Sequence, residues 1–89
     1  MTEKEFLESL KENRAYWIEV VKKEFGIEDG SKALEAIEKA THGVIFSLMC
    51  MCDGVSAVTN FRPIELKLNG TQLINNSGKE MHDEWCKIT

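Results

Sequence analysis

Hydrophobic residues recur at helical spacing along the first quarter of the chain. They are Leu7, Leu10, Trp17, Val21 and Phe25, and Arg14 interrupts the stripe that they form. Thr2 and Glu5 have the spacing of a capping box before this stripe, and Gly26 follows it where a left-handed residue is favoured. We therefore predict a first helix over residues 3–25.

A second helix is predicted over residues 31–53. Ser31 is suited to its N-cap, and Gly54 follows Asp53 at its end. The link over residues 27–30 is short, so the second helix is expected to return antiparallel to the first. Its first half is charged on one side, whereas Val44–Cys52 is apolar all round except for Ser47. This pattern predicts that the helix enters the middle of the fold partway along its length.

Two apolar stripes lie side by side on the second helix when its residues are spaced about 100° apart. A bulky stripe comprises Leu34, Ile37, Val44, Leu48 and Met51, with Leu48 predicted to lie in the core. A stripe of small residues comprises Ala33, Ala36, Ala40, Gly43 and Ser47. Small side chains allow a second backbone to approach closely. That backbone could belong to the first helix or to a symmetry-related copy of the second.

The hydrophobic period changes from helical to alternating after Gly54. Ile64, Leu66 and Leu68 alternate with charged residues, and Asn69-Gly70 is a favoured two-residue hairpin turn. We predict a small antiparallel β-hairpin over about residues 63–75, which places Leu66 opposite Leu73. Pro63 suits the first residue of a strand, and residues 55–60 are a candidate third strand.

The C-terminal segment has the pattern of a short helix over residues 78–86. Ser77 and Glu80 repeat the capping-box spacing, and Met81 and Trp85 share one helical face that is expected to dock on the core. The elements together predict a single α+β domain over residues 1–89. In it, an antiparallel helical hairpin packs on a small antiparallel sheet and the short C-terminal helix.

Composition and charge exclude several classes of function. The net charge is −4, and the basic residues are interspersed with acids, which argues against nucleic-acid binding. No apolar run approaches the roughly 20 residues that span a bilayer, so no membrane partner is expected. The N-terminus lacks a signal-peptide pattern, and three cysteines without an export signal indicate reduced thiols in a cytoplasm. A core this small contributes little stability, which favours a homodimer.

The candidate binding residues are polar or aromatic side chains on the two later helices. They are His82, Asp83, Trp85, His42 and Asp53. His82, Asp83 and Asp53, together with Ser56, also supply the residue types of a hydrolytic triad. No nucleophile-elbow motif accompanies them, so the sequence assigns no catalytic residue. A small hydrolase or ligand-binding domain that uses His82, Asp83 and Asp53 remains the alternative function.

Four soft ligands provide the sharpest metal hypothesis. They are Cys50, Cys52, His82 and Cys86. Residues two apart on a helix point about 200° away from each other, so Cys50 and Cys52 converge only if the helix ends before them. We therefore expect no metal and no other cofactor.

The segments Thr41–Ala57 and Met81–Trp85 carry a resemblance to known proteins. An apolar helix that ends in Asp53-Gly54, followed by a terminal His82-Asp83-Glu84 segment, resembles a group of small uncharacterised bacterial proteins. The resemblance implies a bacterial origin, and it brings no activity, cofactor or catalytic residue. With the other observations, it leads us to expect a non-enzymatic protein-interaction module in a bacterial cytoplasm.

Overall fold

The computed structural model describes residues 1–74 and 78–89, and its elements confirm an α+β fold. They are helix α1 (Glu3–Phe25), helix α2 (Lys32–Asp53), a 3₁₀ turn (Ala57–Thr59), strands β1 (Lys67–Leu68) and β2 (Thr71–Gln72), and helix α3 (Met81–Ile88). The two strands form one antiparallel sheet.

The two long helices begin and end at the residues that local signals predict. The Thr2 hydroxyl accepts a hydrogen bond from the Glu5 amide at 3.1 Å, and the Ser31 hydroxyl accepts one from the Leu34 amide at 3.1 Å. Gly26 and Gly54 end the helices with φ of 63° and 74°, in the left-handed region that glycine adopts without a steric penalty. Ser31 is the cap of α2, so the helix itself starts one residue later than the predicted range.

The β-hairpin has the predicted turn and register but is shorter than predicted. Asn69 and Gly70 both have positive φ, and the Leu73 amide donates to the Leu66 carbonyl at 2.7 Å. The strands stop there because the next amide in line, that of Ile64, donates to the Met51 carbonyl at the end of α2. Pro63 therefore lies outside the sheet, and Asn75 lies outside the described residues.

The predicted third strand over residues 55–60 is wrong. A 3₁₀ turn occupies Ala57–Thr59, and the Ser56 hydroxyl accepts a hydrogen bond from the Val58 amide at 3.2 Å. Asn60 and Phe61 then adopt positive φ of 54° and 57°, which is incompatible with an extended strand.

Helix α3 begins and ends later than the predicted range of 78–86. It covers Met81–Ile88, because Gly78 has a φ of 77° and Glu80 is still extended. Glu80 is the N-cap residue by position, but its side chain makes no capping hydrogen bond. Ser77, the other half of the predicted capping box, lies outside the described residues.

The buried core lies at one end of the helical hairpin, where α3 and Ile74 cover the first part of α1 and the last part of α2. Its members are Leu7, Met49, Cys52, Ile74, Met81 and Trp85, of which all but Leu7 have no exposed surface. The docking of α3 through Met81 and Trp85 is thus confirmed. The strand residues are exposed, and Leu66 and Leu73, which flank the two strands, are partly buried at the edge of this core.

The buried face of α2 differs from the predicted bulky stripe. Met49 is fully buried, Leu48 is half-buried, and Val44 is 71% exposed. The prediction that α2 is buried all round from Val44 onward is wrong, because α3 packs on the side of Met49 and Cys52 and leaves Val44 uncovered. Leu48 is consequently at the margin of the core rather than at its centre.

The end of the hairpin away from α3 is thinly packed. Trp17 and Phe25, predicted to lie on the buried stripe of α1, are 57% and 70% exposed. Hydrogen bonds to α2 account for the presence of a charged residue, Arg14, within that apolar stripe. Its guanidinium donates to the Thr41 hydroxyl at 2.9 Å and to the Glu38 carbonyl at 2.6 Å. The radius of gyration is 14.7 Å, compared with about 12 Å for a compact domain of this length, so the hairpin projects beyond its core.

The small-residue stripe of α2 does not pack on α1. Ala33, Ala36, Ala40 and Ser47 are exposed, and a Cβ built on Gly43 meets no atom within 4 Å. Within the single chain, this removes α1 as the partner of the stripe.

Met49 is expected to contribute far more stability than Val44, its neighbour on the exposed side of the same helix. Met49→Ala should lower the free energy of unfolding by about 2–5 kcal/mol, because it leaves a cavity in the core. Val44→Ala should change it by less than about 0.5 kcal/mol, because Val44 is mostly exposed. Urea unfolding of the two variants checks this, and equal losses would contradict the observed burial.

Candidate functional site at the junction of α2 and α3

The five candidate residues from the sequence all lie along the contact between α2 and α3. His42 and Asp53 are about three turns apart on α2, and they therefore share a face. His82, Asp83 and Trp85 follow one another in the first two turns of α3. The structure joins these residues in two pairs, Asp53 with His82 and His42 with Trp85, and leaves Asp83 at the edge.

Asp53, the last residue of α2, caps the N-terminus of α3. Its Oδ1 accepts a hydrogen bond from the Met81 amide at 2.8 Å, and its Oδ2 accepts one from the His82 amide at 2.9 Å. The first amides of a helix lack intrahelical partners, and a negative charge there is favoured by the helix dipole. The Asp53 side chain is only 2% exposed. A buried carboxylate 28 residues away in sequence from Met81 thus replaces the local cap that Glu80 does not provide.

His82 completes this junction through its ring. Nδ1 lies 2.5 Å from Asp53 Oδ2, and Nε2 lies 3.3 Å from Glu80 Oε2 and 3.5 Å from Asp83 Oδ1. The hydrogen bond to Asp53 raises the pKa of His82 above its usual value, against the opposing effect of burial, and the charges of Asp53, Asp83 and Glu80 raise it further. The site therefore favours the imidazolium form of His82.

His42 meets the other end of α3. The indole Nε1 of Trp85 donates a hydrogen bond to His42 Nδ1 at 3.1 Å, and the two rings stack with centroids 5.7 Å apart. The Thr89 hydroxyl oxygen is 3.3 Å from the same nitrogen. An indole N–H can only donate, so Nδ1 must accept and the proton of the neutral His42 ring is on Nε2.

Phe46 links the two histidines, a role that the sequence analysis did not assign to it. Its ring stacks on His42 at 6.5 Å and contacts His82 edge-on at 5.8 Å. The signal was the spacing of four between His42 and Phe46, which places both on one face of α2. Thr89, in contrast, is a chain-end residue that no pattern singled out.

This arrangement leaves little capacity for hydrolytic chemistry. The Ser56 hydroxyl caps the 3₁₀ turn, and no contact joins it to His82 among the described residues. Both oxygens of Asp53 accept backbone amides, and Asp83 has a side chain that is 63% exposed. The polar groups of the junction therefore bind one another and fix α3 on α2.

Within residues 1–74 and 78–89, one group of side chains has ligand atoms close enough to share a cation. Those of Glu80, His82 and Asp83 lie within 4.8 Å of one another. Acids in the first turn of a helix are favoured by its dipole without any ion, so we assign no metal to this group. Burial raises the pKa of the Cys50 and Cys52 thiols, and α2 continues through both, so they point to opposite sides.

A groove between α1 and α2 lies beside the junction. It has a volume of about 470 Å³ and is lined by Leu10, Asn13, Arg14, Trp17, Ala40, Thr41, Val44 and Ile45. A second open cavity of about 550 Å³ lies between the start of α1 and α3, where Met1, Leu7 and Ile88 are among its lining residues. Neither cavity is lined by His82 or Asp53, so the polar junction and the concave surfaces are separate features.

Comparisons with known proteins add no relatives. No protein-family model matches the chain, and neither the curated proteins nor the solved structures contain a match. None of the helices in the described part of the chain has both the length and the apolarity to cross a bilayer. The chain's own geometry is therefore the basis for a functional proposal.

Asp53→Asn is expected to destabilise the protein by about 2–4 kcal/mol, because an uncharged amide weakens the cap and turns donors toward the Met81 and His82 amides. Asp83→Asn is the matched control, since it makes the same change on an exposed side chain and should alter stability by less than about 0.5 kcal/mol. Urea unfolding at neutral pH measures both. Equal effects would show that the Asp53 cap does not form.

The coupling between Asp53 and His82 should depend on pH. Because the pKa of His82 is raised in the folded state, its stabilisation is complete below the unfolded pKa of about 6.5 and is lost as pH rises through the folded pKa. A double-mutant cycle with Asp53→Asn and His82→Asn should give a larger coupling energy at about pH 5.5 than at about pH 8.5. A coupling that increases with pH would contradict the assignment.

Proposed function

We propose that this protein is a non-enzymatic interaction module of a bacterial cytoplasm, and that a second copy of the chain occupies the groove between α1 and α2. The observation that carries the proposal is Trp17, which lines this largely apolar groove and is 57% exposed. Tryptophan is enriched at protein interfaces and dominates their binding energy when it fills a pocket on the partner.

No acidic side chain is among the described residues that line the groove. Arg14 is the one ionisable residue in its lining, and its guanidinium is held by the Thr41 hydroxyl and the Glu38 carbonyl. The small-residue stripe beside the groove also has no ionisable side chain. The acidic residues that give each copy its net charge of −4 therefore lie outside the groove lining and the stripe, so two copies can approach through this face without opposing carboxylates.

The size of the face suits an association of two copies. α1 and α2 contain 23 and 22 residues, and each is about 33–35 Å long at 1.5 Å per residue. With helix diameters of about 10 Å, the face of the hairpin covers on the order of 650 Å². A stable interface takes about 800 Å² from each partner, and side chains that project from the face, such as Trp17, add to that area.

The shape of the face favours an identical partner. It combines a groove at Ala40 and Thr41 with projecting side chains at Trp17 and Val44, the latter 71% exposed. A two-fold axis brings the projections of each copy to the groove of the other, so one patch serves both sides. The exposed small-residue stripe then lets the two α2 backbones approach closely.

The proposed compartment is supported by cysteine chemistry and by the resemblance described above. The three cysteines, all among the described residues, are not joined in disulfides, and Cys86 is exposed. Exposed unpaired thiols are characteristic of reducing compartments such as a bacterial cytoplasm.

Sedimentation equilibrium at micromolar concentration should give about twice the chain mass of 10.1 kDa. Trp17→Ser should return the protein to a monomer, because it removes the main apolar projection from the interface. Val58→Ser, which changes a residue 81% exposed and outside the groove, should leave the dimer intact. A wild-type monomer at high concentration would refute the proposed partner.

Ala40→Glu separates association from folding. Ala40 is exposed in the single chain, so a glutamate there should leave the thermal midpoint of the monomer nearly unchanged. In the dimer the new carboxylate would be buried against its copy, and the equilibrium should shift to the monomer by at least tenfold. Retention of the wild-type dimer affinity would exclude this face as the interface.

A further inference from the structure

We infer that α3 is a pH-gated latch, docked most firmly when His82 is charged and His42 is neutral. The helix has two polar anchors on α2, one near each end, and each anchor contains one of the two histidines of the chain. The two anchors require opposite protonation states. The latch therefore has an acid limit and an alkaline limit.

The first anchor requires a proton on each nitrogen of His82. Nδ1 donates to Asp53, and Nε2 faces the carboxylate oxygens of Glu80 and Asp83 at 3.3 and 3.5 Å. When His82 is neutral and keeps the Nδ1 proton, the lone pair of Nε2 points toward two negative groups. Loss of the proton thus turns two attractive contacts into repulsive ones and weakens the anchor.

The second anchor requires an unprotonated Nδ1 on His42. That nitrogen accepts the hydrogen bond from Trp85, whose side chain has no exposed surface. A proton on Nδ1 would face the indole N–H and could be accepted only by the Thr89 oxygen. The Thr89 hydroxyl itself donates to the Trp85 carbonyl at 2.8 Å, so it cannot replace the acceptor that the indole loses.

The imidazole rings of His82 and His42 differ in the charges around them, in line with the protonation state that each anchor requires. His82 faces Asp53 on α2 and Glu80 and Asp83 on its own segment, and the Phe46 ring contacts it in a T-shaped arrangement. The contacts of His42 in the described residues are with Trp85, Phe46 and Thr89, all uncharged side chains. On α1, the guanidinium of Arg14 donates hydrogen bonds to the Thr41 hydroxyl and the Glu38 backbone carbonyl. Both residues precede His42 on α2.

The latch can open because α3 depends on these anchors. It has eight residues, and isolated helices shorter than about 12 residues are marginal in water. Its N-terminus has no local side-chain cap, so the Asp53 cap must hold it. Opening exposes the apolar face of Met81 and Trp85 together with the core surface of Met49 that they cover.

Solvent exchange of the Trp85 indole N–H, measured by NMR from about pH 5 to 9, tests the latch. Exchange of the indole N–H of N-acetyltryptophanamide in the same buffers corrects for the intrinsic pH dependence of exchange. We expect Trp85 protection to pass through a maximum and to fall on both sides, approaching tenfold per pH unit where one proton is linked to opening. Constant protection across this range would overturn the inference.

Two matched variants assign the two limits. Asparagine places an uncharged amide near the position of Nδ1, as a donor in His82→Asn and as an acceptor in His42→Asn. His82→Asn should remove the alkaline fall and keep the acid fall, whereas His42→Asn should do the reverse. Persistence of both falls in either variant would contradict the inference.

The imidazole ¹⁵N shifts of the wild-type protein provide a readout that does not depend on variant folding. At about pH 6.5, His82 should be mainly doubly protonated, because the hydrogen bond to Asp53 raises its pKa. The neutral form of His42 should carry its proton on Nε2, because Nδ1 accepts from Trp85. The opposite assignment, with His42 charged and His82 neutral, would refute the latch.

Discussion

The carboxylate of Asp53 is the constraint on which the rest of this structure depends. It ends one helix and begins another, because its oxygens accept the first two amides of α3 and the ring proton of His82. Helix α3 in turn supplies Met81 and Trp85 to the buried core that the described residues form. One side chain therefore connects the local chemistry of a helix terminus with the burial that stabilises the domain.

Because the core lies at one end of the helical hairpin, apolar side chains further from α3 remain exposed. Near the middle of the helices, the Arg14 guanidinium on α1 donates to the Thr41 hydroxyl and the Glu38 carbonyl of α2. Leu34, in the first part of α2, is 8% exposed. Trp17 and Val44 therefore lie on an open face of α1 and α2 that α3 does not cover. The proposed second copy of the chain would bury this face. The polar junction thus acts in folding, whereas the open face is the surface that we propose for association.

Local signals in the sequence were sufficient for the long helices, because caps and left-handed glycines act within a few residues. The turn at Asn69-Gly70 was predictable for the same reason. The length of the β-hairpin and the buried face of α2 depend instead on contacts between residues that are distant in sequence. The amide of Ile64 is taken by the Met51 carbonyl, which shortens the hairpin, and α3 covers Met49 rather than Leu48.

The candidate site shows the same division between local and distant information. Polar residues on apolar helices identified His42, Asp53 and His82 as unusual, but no spacing indicated that Asp53 would cap α3. The sequence pattern places the start of α3 too early, because the capping-box spacing of Ser77 and Glu80 is a local signal and the cap comes from Asp53. The pairing of Trp85 with His42, 43 residues apart, likewise follows only from the way α3 lies on α2.

The amide hydrogens of Met81 and His82 test the central claim most directly. First-turn amides normally exchange with solvent rapidly, since they lack partners within the helix. If Asp53 caps α3, both amides should exchange as slowly as the later amides of α3 in the wild-type protein. Rapid exchange of these two amides, in a protein whose α3 is otherwise protected, would contradict the account.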